Sequence, residues 1–124
     1  MIYTSYFAKL GFLPEHIIPI SICGKAPAWY KGLQYKKLAP KYDFFMEWKK
    51  TRDNDYYIKC FNEQVLDKLD WHQVYEELHE LADSCGKAQY EIALICYENS
   101  SGFCHRHLVA DWFNKNKILC EEWW

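Results

Sequence analysis

The chain has 124 residues, half of them hydrophobic and 19% aromatic. That is enough for one globular core and too little for two, and it excludes a disordered chain. The formal net charge is −2, and no apolar stretch reaches the roughly 18–20 residues of a membrane helix, so no membrane partner is expected. The charge is lopsided. Residues 25–52 carry eight Lys or Arg against Asp43 and Glu47, whereas residues 53–98 carry eleven acids against Lys59, Lys68 and Lys87. The acidic part argues against broad, sequence-independent duplex binding. The opening MIYTSYFAKLGF has neither a basic leader nor a small-residue cleavage site, so a cytoplasmic protein is expected. In that compartment Cys23, Cys60, Cys85, Cys96 and Cys120 read as small buried hydrophobes or neutral thiols rather than disulfide partners.

In chain order, Ile2 to Phe7 is rich in β-formers and reads as a first strand. Ile17 to Cys23 (IIPISIC) reads as a second, with Pro19 at an edge or at the strand's start. Gly24 to Leu38 has turn residues and no clear period, a long loop of the kind that often binds ligands. The basic segment it opens carries Trp29, Tyr30, Tyr35, Tyr42 and Trp48, which can attract anions and stack flat rings. The alternative is a solvated surface with its rings turned inward. Pro40 suits a first helical position, with Tyr42, Phe45 and Trp48 on one face. Asn54 to Leu66 puts Ile58, Phe61 and Val65 on a stripe. Asp70 is a good N-cap for the cleanest amphipathic pattern, Trp71, Val74, Tyr75, Leu78, Leu81 and Ala82, with Gly86 as its stop. His72 and His79 lie off that stripe or at its edge and are expected to face solvent.

Ile92 to Glu98 is apolar on both faces, as a central strand covered on each side would be. A last helix buries Leu108, Val109, Trp112 and Phe113, and Ile118 to Trp123 closes the chain as a short strand. The predicted architecture is a three-layer, Rossmann-like α/β domain over residues 1–124, with a small, mostly parallel sheet of about four strands.

Chemistry concentrates in residues 92–107, IALICYENSSGFCHRH. An apolar strand ending at Glu98, a small polar turn, and a helix opening on Cys104, His105 and Arg106 match the way α/β proteins build sites at strand carboxyl ends. Cys104, in or near the first helical turn, can be a thiolate nucleophile, or can cap the core beside Leu108 and Trp112. His105 can act as a base or tie the helix start to the strand end. Arg106 beside exposed helix amides can clamp a phosphate or carboxylate. Its structural alternative is an ion pair with Glu98, which otherwise suits acid–base work. His107 is expected in solvent. A zinc site from Cys96, Cys104 and His105 is weighed and no metal is expected, because structural zinc uses ligand pairs two to four residues apart and none stands here. The phosphatase spacing fails as well, since the position six before Arg106 is Ser100, and no Walker pattern is present.

The strand ending in Cys96-x-Glu98, followed by Cys104-His105-Arg106 and the apolar helix Leu108 to Phe113, resembles the family catalogued as domain of unknown function 488. ISICGKAPAWYKG and YKKLAP resemble a compact branch of it, with Ser21, Lys25, Pro27 and Leu38 to Pro40 in matching places. The longer members carry Asp-Val-Arg at the end of the second strand, where this chain has Ile20-Ser21-Ile22-Cys23. The resemblance implies a fold and a site location, and adds Ser21 and Lys25 to the ligand-binding candidates.

Together these readings lead to the binding of an anionic ligand, a nucleotide or single-stranded nucleic acid. Its phosphate would sit at the turn 98–106 and its base against Trp29, Tyr30 or Tyr35. Hydrolysis or transfer by Glu98, His105 or Cys104 would be the accompanying chemistry, without a cofactor. Two alternatives stand beside it: a non-enzymatic interaction or homodimer module built on the terminal Glu121, Glu122, Trp123 and Trp124, and a thiol-based enzyme or redox sensor using Cys104.

Overall fold

The computed structural model describes residues 1–97 and 103–123. Its framework is a five-stranded sheet, with β1 at Ile2–Tyr6, β2 at Ile17–Ser21, β3 at Leu33–Gln34, β4 at Glu91–Cys96 and β5 at Cys120–Glu122. The strand order is β3-β2-β4-β1-β5, and every pair is parallel. Four α-helices complete the domain: α1 at Tyr42–Thr51, α2 at Asn54–Gln64, α3 at Trp71–Asp83 and α4 at His105–Lys115. The protein is a Rossmann-like, three-layer α/β domain with one strand more than expected. The extra strand is β3, two residues inside the long loop, too short to leave a period in the sequence.

The direction of each crossover explains the layers. From β1 to β2 and from β2 to β3 the chain moves one way across the sheet, then returns from β3 to β4 and on to β5. A single, right-handed crossover hand therefore sends the first two connections to one face and the last two to the other. Accordingly all four helices share one apolar core, with Phe44 and Trp48 of α1, Phe61 of α2, Leu78 of α3 and Phe113 of α4 packed on Ile2, Ile20, Ile92 and Leu94. The opposite face is covered more thinly. There the 3-10 helical segment Phe7–Phe12 and the loop around Ala26 and Tyr30 pack on Ile17, Ala93 and Ile95. Both faces of a parallel sheet must be covered, and β4 accordingly buries all but its first residue.

Pro19 sits within β2 opposite Ala93, not at the strand's start. Its carbonyl accepts from the Tyr30 hydroxyl at 3.4 Å, so its backbone faces the side where β3, which pairs only from Ile20 onward, leaves room for a residue without an N–H. The α1 face differs from the expected stripe. The helix starts at Tyr42 rather than at Pro40, and Phe44 and Trp48, four apart, are its buried residues, while Tyr42 is exposed. The α3 prediction holds closely. Asp70 caps it by accepting from the His72 N–H, Val74, Leu78 and Ala82 are buried, and Gly86 follows the helix end at φ 75°.

Candidate functional site

In an open parallel sheet, a crevice forms where neighbouring strands send their connections to opposite faces. Here that strand is β4. It exits toward the helical face, whereas both its neighbours, β1 and β2, exit toward the other. The carboxyl end of β4 is Cys96, beside Tyr6 of β1.

Four side chains, Cys96, Cys104, His105 and Arg106, meet there. Cys96 is joined to Cys104 as a disulfide, with the two Cα atoms 7.3 Å apart. Cys104 occupies the N-cap of α4 in an extended conformation, so the sulfur hangs from the helix start toward the strand end. This corrects the expectation of free thiols for Cys96, and Cys85 is exposed rather than buried. The bland reading stands for three others: Cys23, Cys60 and Cys120 are free and buried, and burial pushes the Cys23 thiol up to about 11 and the Cys120 thiol up to about 12.

His105, the first residue of α4, is buried. Its Nε2 lies 2.8 Å from the Ile22 carbonyl. A carbonyl only accepts, so Nε2 carries the proton and Nδ1 keeps its lone pair. That lone pair faces Cys104 Sγ at 3.7 Å. Burial, aided by the nearby Arg106 and His107 charges and opposed by the Ile22 hydrogen bond, lowers its pKa to about 4. The imidazole is therefore neutral at physiological pH.

Arg106 departs from its expected role as a phosphate clamp. Its side chain is fully buried. Nε donates to Glu122 Oε1 at 3.1 Å and Nη2 to Oε2 at 2.9 Å. Nη1 donates to Cys96 Sγ at 3.1 Å, and the guanidinium lies 5.5 Å from the Tyr6 ring centroid. Glu122 is its carboxylate partner among the described residues; Glu98, the expected partner, and the turn 98–102 lie outside them. Glu122 also accepts from the Thr4 hydroxyl at 2.6 Å, opposite it in the sheet. The sequence reading missed Glu122. The available signal was alternation: in the final strand Cys120 points inward and Glu121 outward, which places an acid at the next inward position.

The remaining candidates divide. Trp29 is 62% exposed and Tyr97 52%, flanking Phe7 with ring centroids 5.9 and 5.1 Å away. The Tyr97 hydroxyl ties to the Lys25 carbonyl at 2.7 Å, and Lys25 is exposed. Phe7 and Tyr97 follow β1 and β4 directly, so this ledge borders the crevice. Tyr30 is buried beneath it, its hydroxyl donating to the Leu33 carbonyl at 2.7 Å, so it supports the ledge instead of offering a stacking face. Tyr35 is corrected outright. It belongs to the core on the helical face, donates to Glu77 Oε1 at 2.5 Å, and lines a hollow of about 500 Å³ along α3 with Lys36 and Lys37. Ser21 is buried, its Oγ accepting from the Cys23 N–H at 3.3 Å, so its role is structural. His107 is half-buried, as is His79, while His72 is exposed as expected.

Three of these groups carry metal-ligand chemistry: one ligand atom each from Cys96, Cys104 and His105 lies within 4.8 Å of the others. These are the three residues that sequence spacing set aside as a zinc site; the fold brings strand end and helix cap together despite that spacing.

Residues 6–117 match the DUF488-N3a family model, described as the active DUF488-N3 subclade. The chain belongs to the DUF488 family. No curated protein and no solved structure matches it. The match runs from the end of β1 past the whole of α4.

Proposed function

We propose that this DUF488 chain is a thiol-dependent protein whose working group is the Cys96–Cys104 pair, with Cys104 as the reacting sulfur. The observation that carries this reading is the position of the pair: two bonded cysteines at the carboxyl end of the switch-point strand, with a buried guanidinium against one sulfur. In the reduced state Arg106 favours the Cys96 thiolate over its thiol, as a fixed cation beside sulfur does. The Cys104 thiol can donate to His105 Nδ1, and the α4 amino end favours its ionisation. The Cys104 thiolate then attacks one sulfur of a small-molecule disulfide, forming a mixed disulfide and expelling the first thiolate. Cys96 attacks Cys104 Sγ, expels the second thiolate and closes the protein disulfide. Two electrons pass to the substrate and none is left over. No described helix is long and apolar enough to cross a membrane. We read the protein as cytoplasmic, where disulfides are transient and catalytic or sensory rather than structural. The family description "active" accords with a working site.

The test is a thiol count on the full chain, which has six cysteines. After equilibration with glutathione disulfide and denaturation, four titratable thiols are expected, with peptide mapping placing the bond at Cys96–Cys104. Cys104→Ser should abolish the change. Six reactive thiols after that equilibration would overturn the reading.

A second reading is favoured by the exposed rings of Trp29 and Tyr97 beside Lys25: a flat anionic ligand, a nucleotide or short single strand, rests on this ledge. Ligand phosphate would then be held by Lys25 rather than by Arg106, whose fork is engaged by Glu122. The interaction-module reading draws less support, since Trp123 packs against the core and its N–H donates to the Thr4 carbonyl at 2.8 Å, and Trp124 lies outside the described residues.

A further inference from the structure

We infer that, in the dithiol state, Cys96 Sγ, Cys104 Sγ and His105 Nδ1 form a three-ligand site for a zinc ion. This shares with the thiol reading the pairing of Cys96 and Cys104, and goes beyond it in naming a cation for the reduced form.

Four observations support it. The ligand atoms already converge within 4.8 Å, and the donor set, two thiolates and an imidazole, is one that zinc favours. The Cα atoms of the two cysteines stand 7.3 Å apart, which leaves room for the sulfurs to part to about 3.8 Å across a cation with bonds of about 2.3 Å. His105 is held by its second nitrogen, whose N–H donates to the Ile22 carbonyl. This is the arrangement by which proteins usually fix the tautomer and ring plane of a metal-bound histidine. Finally, charge balances. Two thiolates, a divalent zinc, the Arg106 guanidinium and the Glu122 carboxylate sum to zero, so the buried cluster leaves no net charge in a dry interior. The guanidinium N–H on Cys96 Sγ is the outer-shell hydrogen bond that a metal-bound thiolate accepts.

The experiment titrates the anaerobically reduced full chain with Co2+, followed by absorption spectroscopy, and then displaces cobalt with Zn2+. One Co2+ per chain with sulfur-to-cobalt charge-transfer bands is expected. His105→Ala should weaken binding by at least about tenfold, the lower end of what outer-shell changes alone cost. Because cysteine variants can fail to fold, a second measurement uses the unaltered protein: Zn2+ should shield Cys96 and Cys104 from alkylation while leaving Cys85 reactive. A reduced protein that shows neither charge-transfer bands nor zinc protection overturns the site. If that same protein closes the Cys96–Cys104 disulfide reversibly, the thiol reading survives alone. Cobalt binding without any disulfide closure supports the metal site and removes the redox reading.

Discussion

Arg106 and Glu122 are the least replaceable side chains near the site. The arginine is fully buried and its partner nearly so. Two charges so placed are near neutral as a pair, but either alone is a buried ion without compensation. Glu122→Gln should therefore destabilise the fold by about 3 kcal/mol, measured by urea denaturation. Replacing both residues, Arg106→Met with Glu122→Leu, should recover most of that loss. A single-variant loss below about 1 kcal/mol would mean that solvent reaches the pair. His79 supplies a pH dependence of known sign. It packs against the Tyr75 ring at 4.4 Å, and its Nδ1 lies 3.1 Å from the Tyr90 hydroxyl. Burial, with the chain's amino terminus, lowers its pKa and outweighs Asp83. Its folded value is thus below the unfolded value of about 6.5, so the unfolded chain binds the proton first. Stability from this group is present above pH of about 6.5 and declines as pH falls from there toward the folded value. The difference in denaturation midpoint between the native protein and His79→Gln should shrink across that window; a constant difference would contradict the assignment.

Among the elements, the loop between β2 and β3 most directly shapes what the crevice can hold. It must bring Trp29 to the surface while Tyr30 turns inward, and Gly32 makes room for that. A Cβ there would stand 2.6 Å from the Tyr30 hydroxyl oxygen and 2.8 Å from the ring carbon bearing it. Gly32→Ala should push Tyr30 away from the Leu33 carbonyl, with a stability loss of about 1–3 kcal/mol from overpacking. If the ledge receives nucleotides, calorimetry should register a weaker affinity in the same variant, with Trp29→Ala losing binding altogether. Binding untouched by both changes would move the ligand elsewhere. The helices were more legible than this loop. In α3 the N-cap and the Val74, Leu78, Ala82 stripe follow from capping chemistry and a period of 3.6 residues. In α1 the pattern misled, because with Tyr42, Phe44, Phe45 and Trp48 together apolarity alone does not say which rings turn inward. Packing against Tyr57 and Phe61 of α2 selects Phe44.

At the scale of the whole molecule, one sheet order accounts for both the architecture and the place of the chemistry. With β4 between β1 and β2, the connections must part to opposite faces around it, and the Cys-His-Arg segment necessarily opens a helix over the carboxyl end of the central strand. The basic segment that looked like one anion-binding surface is divided by the same order. Its Trp29 lies by the crevice, while Tyr35 lies across the sheet on α3.

What the chain alone determined was local: apolar strands, helix starts and stops, the strand that ends at Cys96 and the helix that opens at His105, and the family that carries them. These depend on periodicity and capping within a few residues, which are written directly into the order of side chains. Tertiary structure decided the rest. Glu122 reaches Arg106 only because β5 adds to the far side of β1, Cys96 meets Cys104 only because α4 starts over β4, and His105 is oriented by a carbonyl of the segment after β2. Such partners are set by strand order and crossover direction, which bring residues from remote segments into contact and leave no periodic trace along the chain.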